Sequence, residues 1–228
     1  METKVGLGEK EMSKLIVFEG IDGSGKTTIA QLLKEKLGEN AFFLSKKCID
    51  ADSSFQKQFM SEIKPILWER KSEEPISEID EESWLYLHIL WYHMLQRFVI
   101  TSKLKEYDYV VMDGWYYKFL ARHFVNKKME TSTALYLVER LLQPDQVYLL
   151  KVSPEICFER KDAVKASECG AHEKEINADF AIEDFCEYQN KVYSAYLEIL
   201  NNNKCRIIDA SQSVDYIVDS IIKEVQNE

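Results

Sequence analysis

The octapeptide GIDGSGKT, residues 20–27, constrains the fold more than any other stretch of the chain. It satisfies G-x-x-x-x-G-K-[ST], and it stands where that motif has structural meaning. Before it runs LIVF (15–18), a short apolar segment of the kind that forms a buried strand. After it the pattern becomes helical over 26–37, and Gly38 supplies a stop. Gly20, Gly23 and Gly25 let backbone N–H groups turn inward around phosphate oxygens, with Ser24 and Thr28 beside them. The helix that starts there points its positive end at the same anion. Lys26 would hold the β- and γ-phosphates of ATP, and Thr27 would ligate Mg²⁺ through its hydroxyl. A glycine-rich turn with a solvated lysine is the bland alternative, and residues and context together argue against it.

Further apolar segments at 41–44, 109–112, 147–152 and 205–208 read as strands. Helical patterns lie between them at 53–60, 83–105, 115–125, 132–142, 153 to about 165, and 179–200. Ser153 and Ser213 are expected caps, the first with Pro154 in the opening turn. This alternation predicts an α/β fold of three layers, a five-stranded parallel sheet flanked by helices. One P-loop kinase domain over 14–228 accounts for the pattern, with a mobile leader at 1–13 and a short polar lid at about 161–178. The helix at 83–105 is apolar on nearly every side, so it must be buried centrally or covered by a partner chain. A homodimer is expected.

The chain has 228 residues, a length that suits one domain with a full core. Its net charge is −10, which repels a nucleic-acid backbone and makes polymeric DNA or RNA an unsuitable partner. A small anion is still admissible where basic residues gather in a cleft. Five scattered cysteines without a CxxC pair read as reduced thiols of a cytoplasmic protein. No apolar run reaches the ~18 residues that span a membrane.

Guanine-reading NKxD is missing, and a small chain with a helix-rich acceptor side and a late lid points to a nucleotide or nucleoside kinase. Four segments, in order, resemble the thymidylate kinase family: FEGIDGSGKTT (18–28), VVMDGWYYKFLA (110–121), QPDQVYLLKVSPEICFER (143–160) and IIDASQSVDYIVDSI (207–221). The resemblance implies that Asp22 faces the sugar hydroxyl of the acceptor. It places Asp113 near Mg²⁺ and the transferring phosphoryl group, although that aspartate could instead cap the helix that follows. It sets Arg160 at the lid base against the donor phosphates, where a surface residue paired with Glu155 or Glu159 is the other reading. Ala210, Ser211 and Gln212 would border the adenine, or simply form a strand-to-helix loop.

The acceptor side departs from the family. Lys46, with Lys47 beside it, stands where relatives place a phosphate-binding arginine, and a lysine keeps the charge but loses the bidentate fork. His88 and Tyr92 occupy the positions that read thymine in the family, and they either line a pocket or belong to the core. Gly114 replaces the arginine of the Asp-Arg pair. Lys118 and Arg122 fall four and eight residues later, as compensating cations or as a solvated basic face. The lid offers Lys161, Lys165, His172 and Lys174 in place of arginines. The expected activity is ATP-dependent phosphoryl transfer to a nucleoside monophosphate, thymidylate first. The missing arginines keep an uncharged nucleoside in play as acceptor, and a nucleotide-binding regulator without turnover is the third reading.

Overall fold

The structure is a computed structural model, and it describes residues 13–69, 78–126, 130–170, 182–201 and 204–226. Among the described residues five parallel strands form one sheet, as expected, and their order is β2-β3-β1-β4-β5. They are β1 (Lys14–Gly20), β2 (Ala41–Leu44), β3 (Tyr109–Met112), β4 (Gln146–Lys151) and β5 (Cys205–Asp209). β1 lies at the centre, hydrogen-bonded to β3 on one side and β4 on the other. All five strands run the same way, so their C-terminal ends share one edge, which is where ligands bind in sheets of this kind.

The two faces of the sheet carry separate cores. Alternate residues of β1 divide between them, because successive side chains point to opposite faces. Ile16 and Phe18 pack against α1 (Lys26–Leu37) and α9 (Val214–Val225), with Ile29, Leu33, Val218 and Ile221 buried between. Leu15 and Val17 pack toward α3 (Glu81–Leu95), α5 (Tyr117–Asn126) and α8 (Ile182–Ile199), with Trp91, Trp115 and Tyr196 buried there. α4 (Thr101–Glu106), α6 (Thr131–Val138) and α7 (Pro154–Glu159) complete the layers, and α2 (Ser54–Trp68) lies over α3.

Several boundaries differ from the sequence reading, each for a local reason. α2 runs through Pro65 to Trp68, beyond the predicted end at 60, because Leu67 is buried and the Trp68 ring packs, tilted, 5.1 Å from that of Trp91. The long helix at 83–105 continues to Glu106 but contains a π turn at Gln96–Ile100. There Thr101 Oγ1 donates to Gln96 O (2.8 Å), and the Gln96 side chain accepts from Leu142 N (2.6 Å), tying the helix to the segment before β4. α7 stops at Glu159, well short of 165, because Glu168 captures the chain: its carboxylate accepts from Lys165 N (3.1 Å) and pairs with Lys161 (3.2 Å). α5 begins at Tyr117 and α6 ends at Val138, both within the predicted segments. Ser153 and Ser213 cap their helices as expected. The leader at 1–12 and the lid beyond 170 lie outside the described residues.

Leu33 is fully buried between α1 and α9. Leu33→Ala should cost about 2–5 kcal/mol in urea unfolding, since the cavity sits in close-packed surroundings. A loss below about 1 kcal/mol would mean that this layer packs loosely.

Candidate active site

The loop that leaves β1 turns on glycines whose backbone other residues resist. Gly20, Gly23 and Gly25 have φ values of 148°, 80° and 91°. A side chain at Gly23 would meet the carbonyl oxygen of Cys157 at 2.6 Å, so the loop lies directly against α7. Lys26 opens α1, and its ammonium curls back over the loop, donating to Gly20 O (2.9 Å), Ile21 O (2.7 Å) and Ser24 Oγ (3.3 Å). Burial lowers its pKa from the ordinary value, with Asp22 and Glu19 acting the other way. Thr28 is exposed on the next position.

Thr27 and Asp113 meet across the crevice. Thr27 Oγ1 donates to Asp113 Oδ2 at 2.8 Å, joining the start of α1 to the tip of β3. Asp113 is half-buried, and α5 starts four residues later at Tyr117, so the carboxylate serves the loop threonine and not the helix end. A hydroxyl and a carboxylate oxygen side by side are the hard donors that Mg²⁺ prefers, with positions left for phosphate oxygens and water. The residues present therefore fit the ion. Among the described residues no cluster of three or more His, Cys, Asp or Glu side chains could hold a metal.

The predicted acceptor cations also converge. Asp22, in the phosphate loop, forms ion pairs with Lys118 through Oδ1 and with Arg122 Nη2 through Oδ2, the latter at 2.7 Å. The solvated-face reading of these two cations is thereby overturned: their side chains are 12% and 27% exposed and turn inward. Burial works against the Asp22 charge, but Lys118, Arg122 and Lys26 together hold its carboxyl well below the usual range. Lys46 joins the group from the end of β2. It lies near enough to Lys118 and Arg122 for their charges to oppose its own, and burial is the larger influence, lowering it to about 8. Lys118 is also lowered to about 8, by burial first, although Asp22 pulls upward. Gly114 adopts φ 145°, and the space where its side chain would begin is bordered by Lys46 Cδ at 3.7 Å.

The remaining candidates divide. Tyr92 is 1% exposed and packs edge-on against Trp115 (5.2 Å), which makes it a core residue. His88 is half-buried in an aromatic cluster, stacked on Phe119 at 4.2 Å with Trp68 and Trp84 edge-on, and its Nδ1 lies 2.9 Å from Trp84 O. Arg160 is exposed at the end of α7, the helix that touches Gly23. Asp209 ties down the loop after β5, accepting from Ser211 N (3.0 Å), Ser211 Oγ (2.7 Å) and Gln212 Nε2 (3.4 Å), while Ala210 is buried. Lys165 is exposed in the lid, near enough to Lys47 to lower its pKa after burial has done so. His172 and Lys174 lie outside the described residues.

Two buried polar residues escaped the sequence reading. Glu19 accepts from Trp115 N (2.7 Å) and Tyr196 Oη (2.8 Å). Its only signal was an acid inside an otherwise apolar strand. Gln189 of α8 accepts from Asp22 N (3.1 Å) and donates to Asp22 Oδ2 (3.3 Å) and Glu168 O (2.7 Å), so it bridges the phosphate loop and the lid base. Nothing in its local sequence marks that role.

A family model described as thymidylate kinase matches residues 18–221, from the centre of β1 into α9. The chain belongs to the thymidylate kinase family. Family membership makes it an ATP-dependent phosphotransferase of the nucleoside monophosphate kinase class. It is 27% identical to a probable thymidylate kinase 1 of Saccharolobus solfataricus, covering 94% of this chain and 98% of that protein. It is 30% identical to a probable thymidylate kinase of Sulfolobus acidocaldarius, covering 90% and 92% of the two chains. It is 29% identical to a thymidylate kinase of Mycoplasmopsis agalactiae, covering 92% and 93%.

Burial, with the neighbouring cations, lowers both Lys46 and Lys118 to about 8. Below that value they are cations, and above it they lose charge. Thymidylate binding, measured by titration calorimetry, should therefore weaken as pH rises through about 8. Constant affinity up to pH 10 would show that neither amine faces the bound anion.

Proposed function

We propose that this protein converts thymidylate to thymidine diphosphate at the expense of ATP, with Mg²⁺ shared between Thr27, Asp113 and the donor phosphates. The observation that carries the reading is the Thr27–Asp113 contact at the mouth of an intact phosphate loop. Lys26 would leave the loop carbonyls for the β- and γ-phosphates. The inward-facing amides of Gly23 to Thr27 and the N-terminus of α1 would enclose the β-phosphate. Magnesium held by Thr27 and Asp113 would offset negative charge on the donor phosphates. An oxygen of the acceptor phosphate attacks the γ-phosphorus while the bond to the β–γ bridging oxygen breaks, releasing ADP. A monophosphate oxygen is already ionised, so the chain need only align the reactants and balance their charge.

Arg160, at the lid base, is assigned to the donor phosphates, and Ala210 and Ser211 to the adenine edge, where the Asp209-anchored loop holds their backbone. His88 is assigned to the base of the acceptor, within its aromatic cluster, and Tyr92 to the floor beneath it. An uncharged acceptor loses ground as an alternative, because three cations, Lys46, Lys118 and Arg122, gather on that side. Five free cysteines suit a reducing cytoplasm. Among the described residues no helix is long and apolar enough to cross a membrane.

ADP release should rise strongly with thymidylate over free nucleosides, and Asp113→Asn should lower kcat by about tenfold to a hundredfold. No acceleration by any monophosphate would overturn the reading. A homodimer is part of the proposal. Phe55 (73% exposed), Phe59 and Ile66 on α2, with Tyr86 and Leu90 on α3, present apolar surface that a second copy would cover. Solution mass at micromolar concentration should be twice that of the chain, and Leu90→Glu should return it to the monomer. A monomeric parent protein would refute the dimer.

A further inference from the structure

Position 114 holds glycine where the family resemblance implies an arginine, yet the acceptor side still gathers cations. Lys46, Lys118 and Arg122 surround Asp22, with Glu19 and Glu168 as the other acids nearby. In a chain of net charge −10, such a concentration of cations requires a reason. Arg122 supplies one. Its Nη2 is committed to Asp22, while its Nε is buried without a hydrogen-bond partner. A buried donor left unpaired is costly, and it marks a place where another oxygen belongs.

We infer that Lys118 and Arg122, projecting from α5 and oriented by Asp22, are the residues that select a phosphorylated acceptor in this enzyme. This rests on the reading of the protein as a thymidylate kinase. The two cations lie four residues apart on one helical face, so a single carboxylate can hold both. Asp22 thus acts as a positioning residue. One of its oxygens bonds to Lys118, and the other to Arg122 and Gln189, which leaves little accepting capacity for a sugar hydroxyl. The geometry accounts for Gly114 as well. Relatives deliver a cation from the strand tip, whereas here Lys46 borders that space and the helix supplies the fork. An arginine with a planar edge still free suits a phosphate oxygen better than a neutral hydroxyl.

The test compares the wild type with Arg122→Gln, Arg122→Lys, Lys118→Gln and Asp22→Asn. Thymidylate binding is measured by calorimetry and turnover by ADP release, with thymidine as the uncharged acceptor. Arg122→Gln should weaken thymidylate binding and raise its KM by about tenfold to a hundredfold. The KM for ATP should stay within about twofold, and the preference for thymidylate over thymidine should collapse. Arg122→Lys should recover part of the loss, and Asp22→Asn should raise the thymidylate KM without a matching fall in kcat. Wild-type binding of thymidylate that depends on Arg122, but without turnover, would leave the inference standing and sink the kinase reading. Normal turnover with unchanged thymidylate affinity in both Arg122→Gln and Lys118→Gln would overturn the inference alone. A proportional loss for ATP and thymidylate in every variant would also overturn it, by reducing these residues to a structural role.

Discussion

Three segments distant in sequence meet on the carboxylate of Glu19. It stands in the central strand with no exposed surface, one oxygen accepting from Trp115 N and the other from Tyr196 Oη. Burying an unpaired carboxylate is prohibitive, and hydrogen bonds to a charged group contribute only about 1.5–3 kcal/mol each. The arrangement therefore tolerates little displacement of either donor. Trp115 follows directly on Asp113 and Gly114, so the bond fixes how the chain leaves β3. Tyr196 anchors α8, which carries Gln189 to the phosphate loop. Desolvation nonetheless wins over both bonds and raises the pKa of Glu19. The junction is thus arranged for geometry more than for charge.

Asp22 works by the opposite balance. There the nearby cations overcome desolvation, and the carboxyl is held well below its usual range. The same ion pairs restrain Lys118 and Arg122, which would otherwise turn to solvent on long flexible stems. Gln189 then ties this cluster to Glu168 at the lid base. Through one amide side chain, the Asp22 ion pairs, the phosphate loop and the backbone at Glu168 are joined.

The strands and the phosphate loop were legible because both follow from local pattern, whereas the order of the strands in the sheet does not. LIVF before GIDGSGKT admits one placement, and each later strand is a short apolar run between helical segments. Helix ends were less so, because distant partners decide them. Trp91 extends α2, and Glu168 ends α7 early. The cation cluster was half legible: spacing put Lys118 and Arg122 on one face, but not which way that face pointed. Its direction depends on Asp22, nearly one hundred positions upstream along the chain. Gln189 left no trace, since its three partners are assembled only when α8 docks.

The two halves of the site differ in how freely they can be rewritten. The donor half is held by backbone: positive-φ glycines, a loop pressed on Cys157, and a helix terminus. Any side chain at Gly23 collides with a main-chain oxygen, so that region resists substitution. The acceptor half is held by side chains reaching from β2, α3 and α5, and a charge there can move from one element to another while its field still reaches the same point. Lys118 and Arg122 bring their charge to Asp22 from α5, while the tip of β3 carries glycine at 114. The backbone-held part of the site therefore leaves less room for substitution than the part built from long charged side chains.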